Sequence, residues 1–257
     1  MKIESLQNPQ IKNLLKLQQK SRERKSSGLF VAEGLQENRL ALDSGFEAVK
    51  FFIADGIYHS NLDTQTAEIV FVSNQLFEKI AYRGTTGGII GLYKFKESKI
   101  DTVQLSENPL IVILESVEKP GNLGAVLRSC DGAGVDLLIV CDPLTDFFNP
   151  NIIRSSVGTV FTMPLIAEEK EKTLNWLKEN NIRVFSTFLR DETISLYDAD
   201  LKSGCAIVLG TEAVGLSDFW ADNSDRLIKI PMMGKVDSLN VSNAAAICMY
   251  EALRQRL

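Results

Sequence analysis

The chain has 257 residues, 45% of them hydrophobic and 24% charged, with a formal net charge of −5. That length holds one large domain or two modest ones, each with its own core, and the composition is that of an ordinary globular protein. The acidic balance excludes a simple DNA-coating protein, and no run approaches the roughly 18–20 apolar residues of a membrane helix. Residues 1–12 lack the apolar core of a signal peptide. Cys130, Cys141, Cys205 and Cys248 are scattered through apolar segments without a C-x-x-C pair. They read as buried thiols in a reducing, cytoplasmic compartment, not as a disulfide frame or a zinc site. His59 is the only histidine and sits in a polar stretch, so it reads as a surface residue. A histidine in such a place is not expected to serve a Ser-His-Asp triad, and one histidine makes no histidine metal cluster.

Charge is uneven along the chain. In the first 28 residues Lys2, Lys12, Lys16, Lys20, Arg22, Arg24 and Lys25 face only Glu4 and Glu23. Such an arm is either a solvated helix face or a phosphate-contacting surface. Residues 5–20 place Leu6, Ile11, Leu14, Leu15 and Leu17 at near-helical spacing, which predicts an amphipathic helix. Ser21–Gly28 reads as a basic polar break. Leu29–Ala32 predicts a strand, Leu35–Ser44 a helix stopped by Gly45, Val49–Ile53 a strand and Ile69–Val72 another. Ser73 caps a helix through Leu76, Phe77 and Ile80, and Gly87–Tyr93 closes the segment with a strand. This alternation predicts a small α/β domain, and the polar stretch Lys94–Asn108 a linker.

The second half opens with Leu110–Leu114, the unbroken apolar run of a strand buried on both faces. A loop holding Pro120, Gly121 and Asn122 leads into a helix, and Leu137–Cys141 predicts the next strand. Asp142 lies about 20 residues beyond the glycine turn, as in a dinucleotide-binding unit, but Gly121 and Gly124 do not make G-x-G-x-x-G. Thr145–Gly158 reads as a loop leading into a helix, either an ordinary connection or a polar site wall. Thr162–Leu165, Arg183–Ser186 and Cys205–Leu209 read as strands, and Leu174–Asn180 as a helix. Arg226–Ile230 predicts a strand ended by Pro231. Ser238 or Asn240 then caps a final helix rich in small residues at Ala244, Ala245 and Ala246. By itself that last turn is also consistent with simple tight packing. Three turns, near Gly121, Gly210 and Gly234, follow strand ends, where open α/β sheets bind ligands.

The three turns together resemble the SpoU (TrmH-type) family of RNA ribose 2′-O-methyltransferases within the SPOUT superfamily. The first motif is Asn122-Leu123-Gly124-Ala125-Val126-Leu127-Arg128, and the second is Leu209-Gly210-Thr211-Glu212-Ala213-Val214-Gly215-Leu216-Ser217. The third runs from Ile230-Pro231-Met232 through Ser238-Leu239-Asn240-Val241-Ser242. Asn149-Pro150 and Arg154-Ser155-Ser156-Val157-Gly158 resemble the family's connecting segment. Ser5–Pro9, Arg22–Arg24 and Phe30–Gly34 are similar to its N-terminal domain. Lys119-Pro120-Gly121 before the first motif and Thr86-Gly87-Gly88 depart from the family pattern.

The resemblance implies a parallel α/β sheet with a deep trefoil knot, plus a small ribosomal-protein-like α/β domain. It implies an RNA substrate-binding domain over 1–105 and a catalytic domain over 106–257 that dimerises through the knot. It implies S-adenosylmethionine bound by Leu209, Gly210, Ile230, Met232, Leu239 and Asn240, with no metal. It makes Arg128 the catalytic residue, supported by Asn122, Glu212, Ser238 and Asn240. Arginine keeps its proton at working pH, so a role in holding phosphate and stabilising an alkoxide suits Arg128 better than a role as base. Lys12, Lys16, Arg22, Arg24 and Arg154 are the expected RNA contacts, with ribosomal RNA the first expectation and transfer RNA the second. The rival readings are an RNA-binding ribosome-assembly module without turnover and a nucleotide-dependent oxidoreductase.

Overall fold

The structure, a computed structural model, describes residues 2–64, 66–82, 87–96, 98–210 and 215–257. The chain divides into two compact units: Met1–Glu97 with Asp146–Thr162, and Ser98–Thr145 with Met163–Leu257. The chain thus passes from the first unit to the second at residues 97 and 98, and a segment of the second half, Asp146–Thr162, folds with the first.

The first unit begins with α1 (Pro9–Gln19), α2 (Ser21–Ser27), β1 (Leu29–Glu33) and α3 (Leu35–Asp43). It continues with β2 (Ala48–Ile53), β3 (Glu68–Phe71), α4 (Asn74–Ile80) and β4 (Ile89–Lys94). Its four-stranded sheet has the order β1-β4-β2-β3, with only the β2–β3 pair parallel. Asn8 caps α1 by accepting from the Gln10 amide, and Pro9 occupies the first turn, where its missing N–H is no loss. The Ile11, Leu14 and Leu17 stripe of α1 is buried in one cluster with Val31, Phe52 and Leu92. Ser73 caps α4 as expected. The expected polar break at 21–28 is instead helical, ended by Gly28 in the left-handed region at φ 66°. Helix α2 carries no apolar stripe for periodicity to detect. What holds it is its one buried residue, Arg24.

The second unit opens with β5 (Leu110–Glu115), α5 (Pro120–Ala133) and β6 (Leu137–Cys141). The chain then passes through α6 (Pro150–Ser155) and α7 (Thr159–Thr162), which belong to the first unit. It returns with β7 (Leu165–Glu168), α8 (Lys170–Glu179), β8 (Arg183–Thr187) and β9 (Ile194–Ser195). It ends with β10 (Cys205–Leu209), α9 (Asp218–Asn223), β11 (Arg226–Lys229) and α10 (Val241–Arg256). The seven strands are all parallel, in the order β7-β6-β5-β10-β8-β11-β9. Every residue of β5, β6 and β10 is buried, as unbroken apolar runs require. From β5 the chain builds outward through β6 and β7 on one side, while later strands fill the other, so the order reverses between β5 and β10.

Three local expectations shift. Helix α5 starts at Pro120, so Asn122 lies in its first turn and not in a loop. Residues 159–162 are helical and the strand begins only at Leu165. Helix α9 and the short β9 were not anticipated. His59 is exposed, and all four cysteines are buried free thiols. Burial pushes the thiols of Cys130, Cys141 and Cys248 up to about 12, so none is a nucleophile at neutral pH.

Candidate active site

A cavity of about 410 Å³ opens at the carboxyl ends of three adjacent strands, β10, β8 and β11. Its volume lies in the range of small-molecule sites, and its place beside the reversal of strand order is where open parallel sheets bind ligands. Thr187 ends β8, Leu209 ends β10, and Ile228 and Lys229 end β11; all four line it. Ile230 and Met232 continue the wall from β11, and Asp237, Ser238 and Leu239 close it ahead of α10. Five of the six expected cofactor residues, Leu209, Gly210, Ile230, Met232 and Leu239, line this one space. Asn240 stands next to it as the N-cap of α10, its side chain accepting from the Ser242 amide at 3.0 Å and the Ser242 hydroxyl at 2.6 Å.

Sequence reasoning missed the wall at Thr187, Phe188 and Leu189, which carries no glycine turn to mark it. Its only sequence signal is the end of the strand expected over Arg183–Ser186, which in the structure lies between β10 and β11. It also missed Glu115. This carboxylate at the end of β5 is only 4% exposed. It accepts from the Ser217 hydroxyl at 2.6 Å and the Ser217 amide at 2.7 Å. Charge-assisted bonds of this kind are the strong ones. They pin the point where the chain returns after β10 to enter α9.

Gly210 fits the same picture. A Cβ there would lie 2.1 Å from the Gly215 carbonyl carbon and 2.3 Å from the Leu216 nitrogen. The chain therefore doubles back on itself at Gly210, and only a residue without a side chain permits it. What comes close to this glycine is the chain's own backbone.

Three of the expected polar residues, Ser238, Asn240 and Asn122, stand at or beside the cavity. The Asn240 side-chain amide donates to Asn122 Oδ1 at 3.2 Å, joining the first turn of α5 to the cap of α10. The Ser238 hydroxyl donates to Asp237 Oδ1 at 3.2 Å. Arg128 is exposed on α5 and pairs with no carboxylate among the described residues. Glu212 lies outside the described residues. Among the described residues no group of three His, Cys, Asp or Glu side chains is placed to hold a metal ion. No described helix is long and apolar enough to cross a membrane.

Of the expected RNA contacts, Lys12, Lys16 and Arg22 are exposed on the first unit. Arg24 is not available. Its side chain is 2% exposed and binds Asp146 through two bonds, Nε to Oδ1 at 3.0 Å and Nη2 to Oδ2 at 2.7 Å. Its Nη1 donates to the Leu17 and Gln18 carbonyls at 2.6 and 3.2 Å. A buried cation must be matched this way, so Arg24 is structural and the expected RNA contact is corrected. Arg154 is half-buried in the first unit, with its Nη2 donating to Asn151 Oδ1 at 2.8 Å.

Apolar walls of Leu209, Leu216, Ile228, Ile230, Met232 and Leu239 suit a flat heteroaromatic ring. The open loops at the strand ends offer backbone groups for its polar edge. Beside the cavity stands the Asn122–Asn240 amide pair, and Arg128 lies exposed further along α5. This combination fits a nucleoside-bearing ligand beside an anionic substrate.

Comparison with known proteins agrees with this arrangement. Residues 109–250 match the SpoU rRNA Methylase family, and residues 8–91 match the MRM3-like substrate binding domain. A 23S rRNA (guanosine-2′-O-)-methyltransferase RlmB of Pectobacterium atrosepticum is 34% identical over 203 residues, covering 77% of this chain and 83% of that protein. A 23S rRNA (uridine(2479)-2′-O)-methyltransferase of Streptomyces viridochromogenes is 27% identical over 246 residues, 91% of this chain and 85% of that one. A crystal structure of an RNA 2′-O ribose methyltransferase superposes with a TM-score of 0.85 at 35% identity, covering 100% and 99% of the two chains. The AdoMet-bound rRNA methyltransferase from Sinorhizobium meliloti superposes with a TM-score of 0.90 at 26% identity, covering 100% and 98%.

Proposed function

The chain belongs to the SpoU rRNA methylase family, and we propose from that premise a division of labour among its residues. The protein is an S-adenosylmethionine-dependent RNA 2′-O-ribose methyltransferase acting on ribosomal RNA. The observation that carries the residue assignment is the Asn122–Asn240 hydrogen bond at the rim of the cavity. It brings the first and third motifs together beside a wall formed by the second.

Leu209, Gly210, Ile230, Met232 and Leu239 hold the cofactor, and Glu115 keeps the β10–α9 return in place through Ser217. When bound, S-adenosylmethionine supplies an electrophilic methyl group on a sulfonium. Arg128 holds the phosphate beside the target ribose and stabilises the 2′-oxygen as its proton leaves. Arginine is too weak an acid to act as base, so the neighbouring RNA phosphate accepts that proton. Asn122 and Asn240 orient the ribose against the cavity mouth, so that positioning supplies much of the rate. Ser238 supports the loop that closes over the cofactor, and Glu212 belongs to the same group by its place in the second motif.

The first unit binds the RNA, with Lys12, Lys16 and Arg22 contacting phosphates. Its likeness to a substrate-binding domain supports this. A knot at the C-terminal segment and a homodimer through that region complete the reading. The packing of α10 on α5, β5 and β10 is consistent with a threaded helix. The buried, reduced cysteines suit a cytoplasmic protein.

The test uses the full chain, methyl-labelled S-adenosylmethionine and unmodified ribosomal RNA transcripts. Nuclease digestion and mass spectrometry should recover a single 2′-O-methylated nucleoside. Arg128→Ala should lower turnover at least about 10²-fold while cofactor affinity stays within about twofold. Label in a base, or RNA binding with no transfer, would sink the reading; the second result would favour a binding module.

A further inference from the structure

Tyr82 is a large aromatic residue left 63% exposed. It is nonetheless held in place. Its backbone N–H donates to both carboxylate oxygens of Glu33, at 2.8 and 3.0 Å. Over its ring, 4.3 Å from the centroid, lies the guanidinium carbon of Arg154. Arg154 is itself oriented, since its Nη2 donates to Asn151 Oδ1 at 2.8 Å and Asn151 sits in the first turn of α6, capped by Asn149. Among the described residues no carboxylate pairs with Arg154.

Tyr82 and Arg154 both lie in the first unit, but they come from distant parts of the chain. Tyr82 falls inside the stretch matching a substrate-binding domain, and Arg154 inside the stretch matching the methylase family. Asp146–Thr162 thus folds with the first unit and brings a cation onto its exposed ring.

We propose that Tyr82 and Arg154 form a stacking platform for one unpaired nucleotide of the RNA substrate. Unpaired bases of RNA are taken up on aromatic rings and guanidinium planes, and every base offers a π face to such a ring. With the guanidinium over one face of Tyr82, the ring's large exposure leaves the other face for a base. Arg154 uses Nη2 on Asn151 and keeps further N–H donors for the adjoining phosphate. Its charge over the ring adds a cation–π attraction that holds the platform together before RNA arrives. The platform is thereby preorganised, which lowers the ordering cost of binding. This inference rests on the RNA methyltransferase reading above and assigns a subsite within it.

The test measures binding of a fluorescein-labelled hairpin RNA with a single-stranded loop to the full chain by anisotropy. Transfer to ribosomal RNA transcripts is measured alongside. Tyr82→Leu should weaken RNA binding about tenfold, within the range known for loss of one base stack. Tyr82→Phe, which keeps the ring, should stay within about twofold of wild type. Arg154→Gln should weaken binding and reduce the slope of log affinity against log salt by about 0.7, the value for one phosphate on a single strand. Cofactor titration and circular dichroism should be unchanged in all three. Wild-type RNA affinity in Tyr82→Leu, with the parent protein still methylating RNA, would overturn the platform and leave the enzyme reading intact. Equal losses in the Phe and Leu variants would also overturn it, because stacking does not need the hydroxyl. A wild-type chain that neither binds nor methylates RNA would overturn both.

Discussion

The two units are held together by different chemistry. The second unit is built on aliphatic strands: Leu110–Leu114, Leu137–Val140 and Ala206–Val208 are each fully buried. The first unit gathers rings. Phe30 stacks on Phe148 at 4.2 Å, on Tyr93 at 5.5 Å and on Phe161 at 5.7 Å, and Phe46 meets Phe148 and Phe161 edge-on. It also buries the Arg24–Asp146 pair, which has no counterpart among the described residues of the second unit. Charge divides as well, with 14 Lys and Arg against 12 Asp and Glu in the first unit and 14 against 21 in the second. An aliphatic parallel core specifies a cavity at its strand ends. An aromatic core with one ion pair specifies how a distant segment is captured. The acidic majority sits in the unit with the cavity, so the net charge of the whole chain hides a surface suited to RNA.

Breaking the ion pair should separate the units most sharply. Arg24→Met leaves Asp146 buried at 7% exposure without its partner and strips two backbone carbonyls of their donor. Removing one member of a buried pair costs about 3–5 kcal/mol. Hydrogen-exchange mass spectrometry should show amides of α1, α2, β1 and α6 opening at much lower denaturant. Strands β5, β8 and β10 should keep their protection, and the cofactor its affinity. Asp146→Asn should repeat the pattern more mildly. Equal loss of protection in both units would mean that they unfold as one, and the contrast drawn from their cores would fail.

That experiment touches what the sequence could not disclose. The burial of Arg24 depends on a carboxylate 122 positions away. Local pattern therefore reads α2 as a polar break and its arginine as a surface cation. The capture of residues 146–162 depends on Phe148 and Phe161 finding Phe30 and Phe46, and no spacing rule reports that. Glu115 was hidden for the same reason, since its partner Ser217 is 102 positions on. Strand β8 was seen, but its role in the cavity arises from lying between β10 and β11. What was legible is what is locally determined. Aliphatic runs gave β5, β6 and β10, Ser73 gave one helix start and the choice of Ser238 or Asn240 a second, settled at Asn240 by the structure, and Pro231 gave the end of the last strand. The three turns were legible because glycine and asparagine at strand ends carry a backbone requirement that Gly210 now makes explicit.

A substitution at Gly210 should cut the other way from Arg24→Met. Gly210→Ala places a methyl group against the Gly215 backbone at 2.1 Å, where no flexible side chain can yield. The return between β10 and α9 must shift, and with it the wall at Leu209, Gly215 and Leu216. Misplacing a wall by about an ångström is enough to cost roughly 10²-fold in a positioned reaction. Cofactor affinity by calorimetry should fall about 10- to 100-fold, while RNA binding and the exchange pattern of the first unit remain as in wild type. Wild-type cofactor affinity in this variant would remove the second motif from the binding site.

The smallest effect reads out one unit alone. All four cysteines lie in the second unit, and all are buried. At pH 8 a disulfide reagent should leave them unmodified in the native chain, since burial holds three of the thiols near 12 and blocks access to each. The sign of the pH dependence follows from the same shift. The unfolded chain releases these protons near 8.5, far below the folded chain, so stability is intact below that point and declines as pH rises towards 12. Replacing Cys130 and Cys248 by Ala should flatten part of that alkaline decline. In Arg24→Met, at a denaturant concentration that opens the first unit, the thiols should still react at the slow native rate. Rapid labelling there would show that opening the first unit exposes the second, and the aliphatic sheet would then owe its protection to the aromatic unit instead of to its own core.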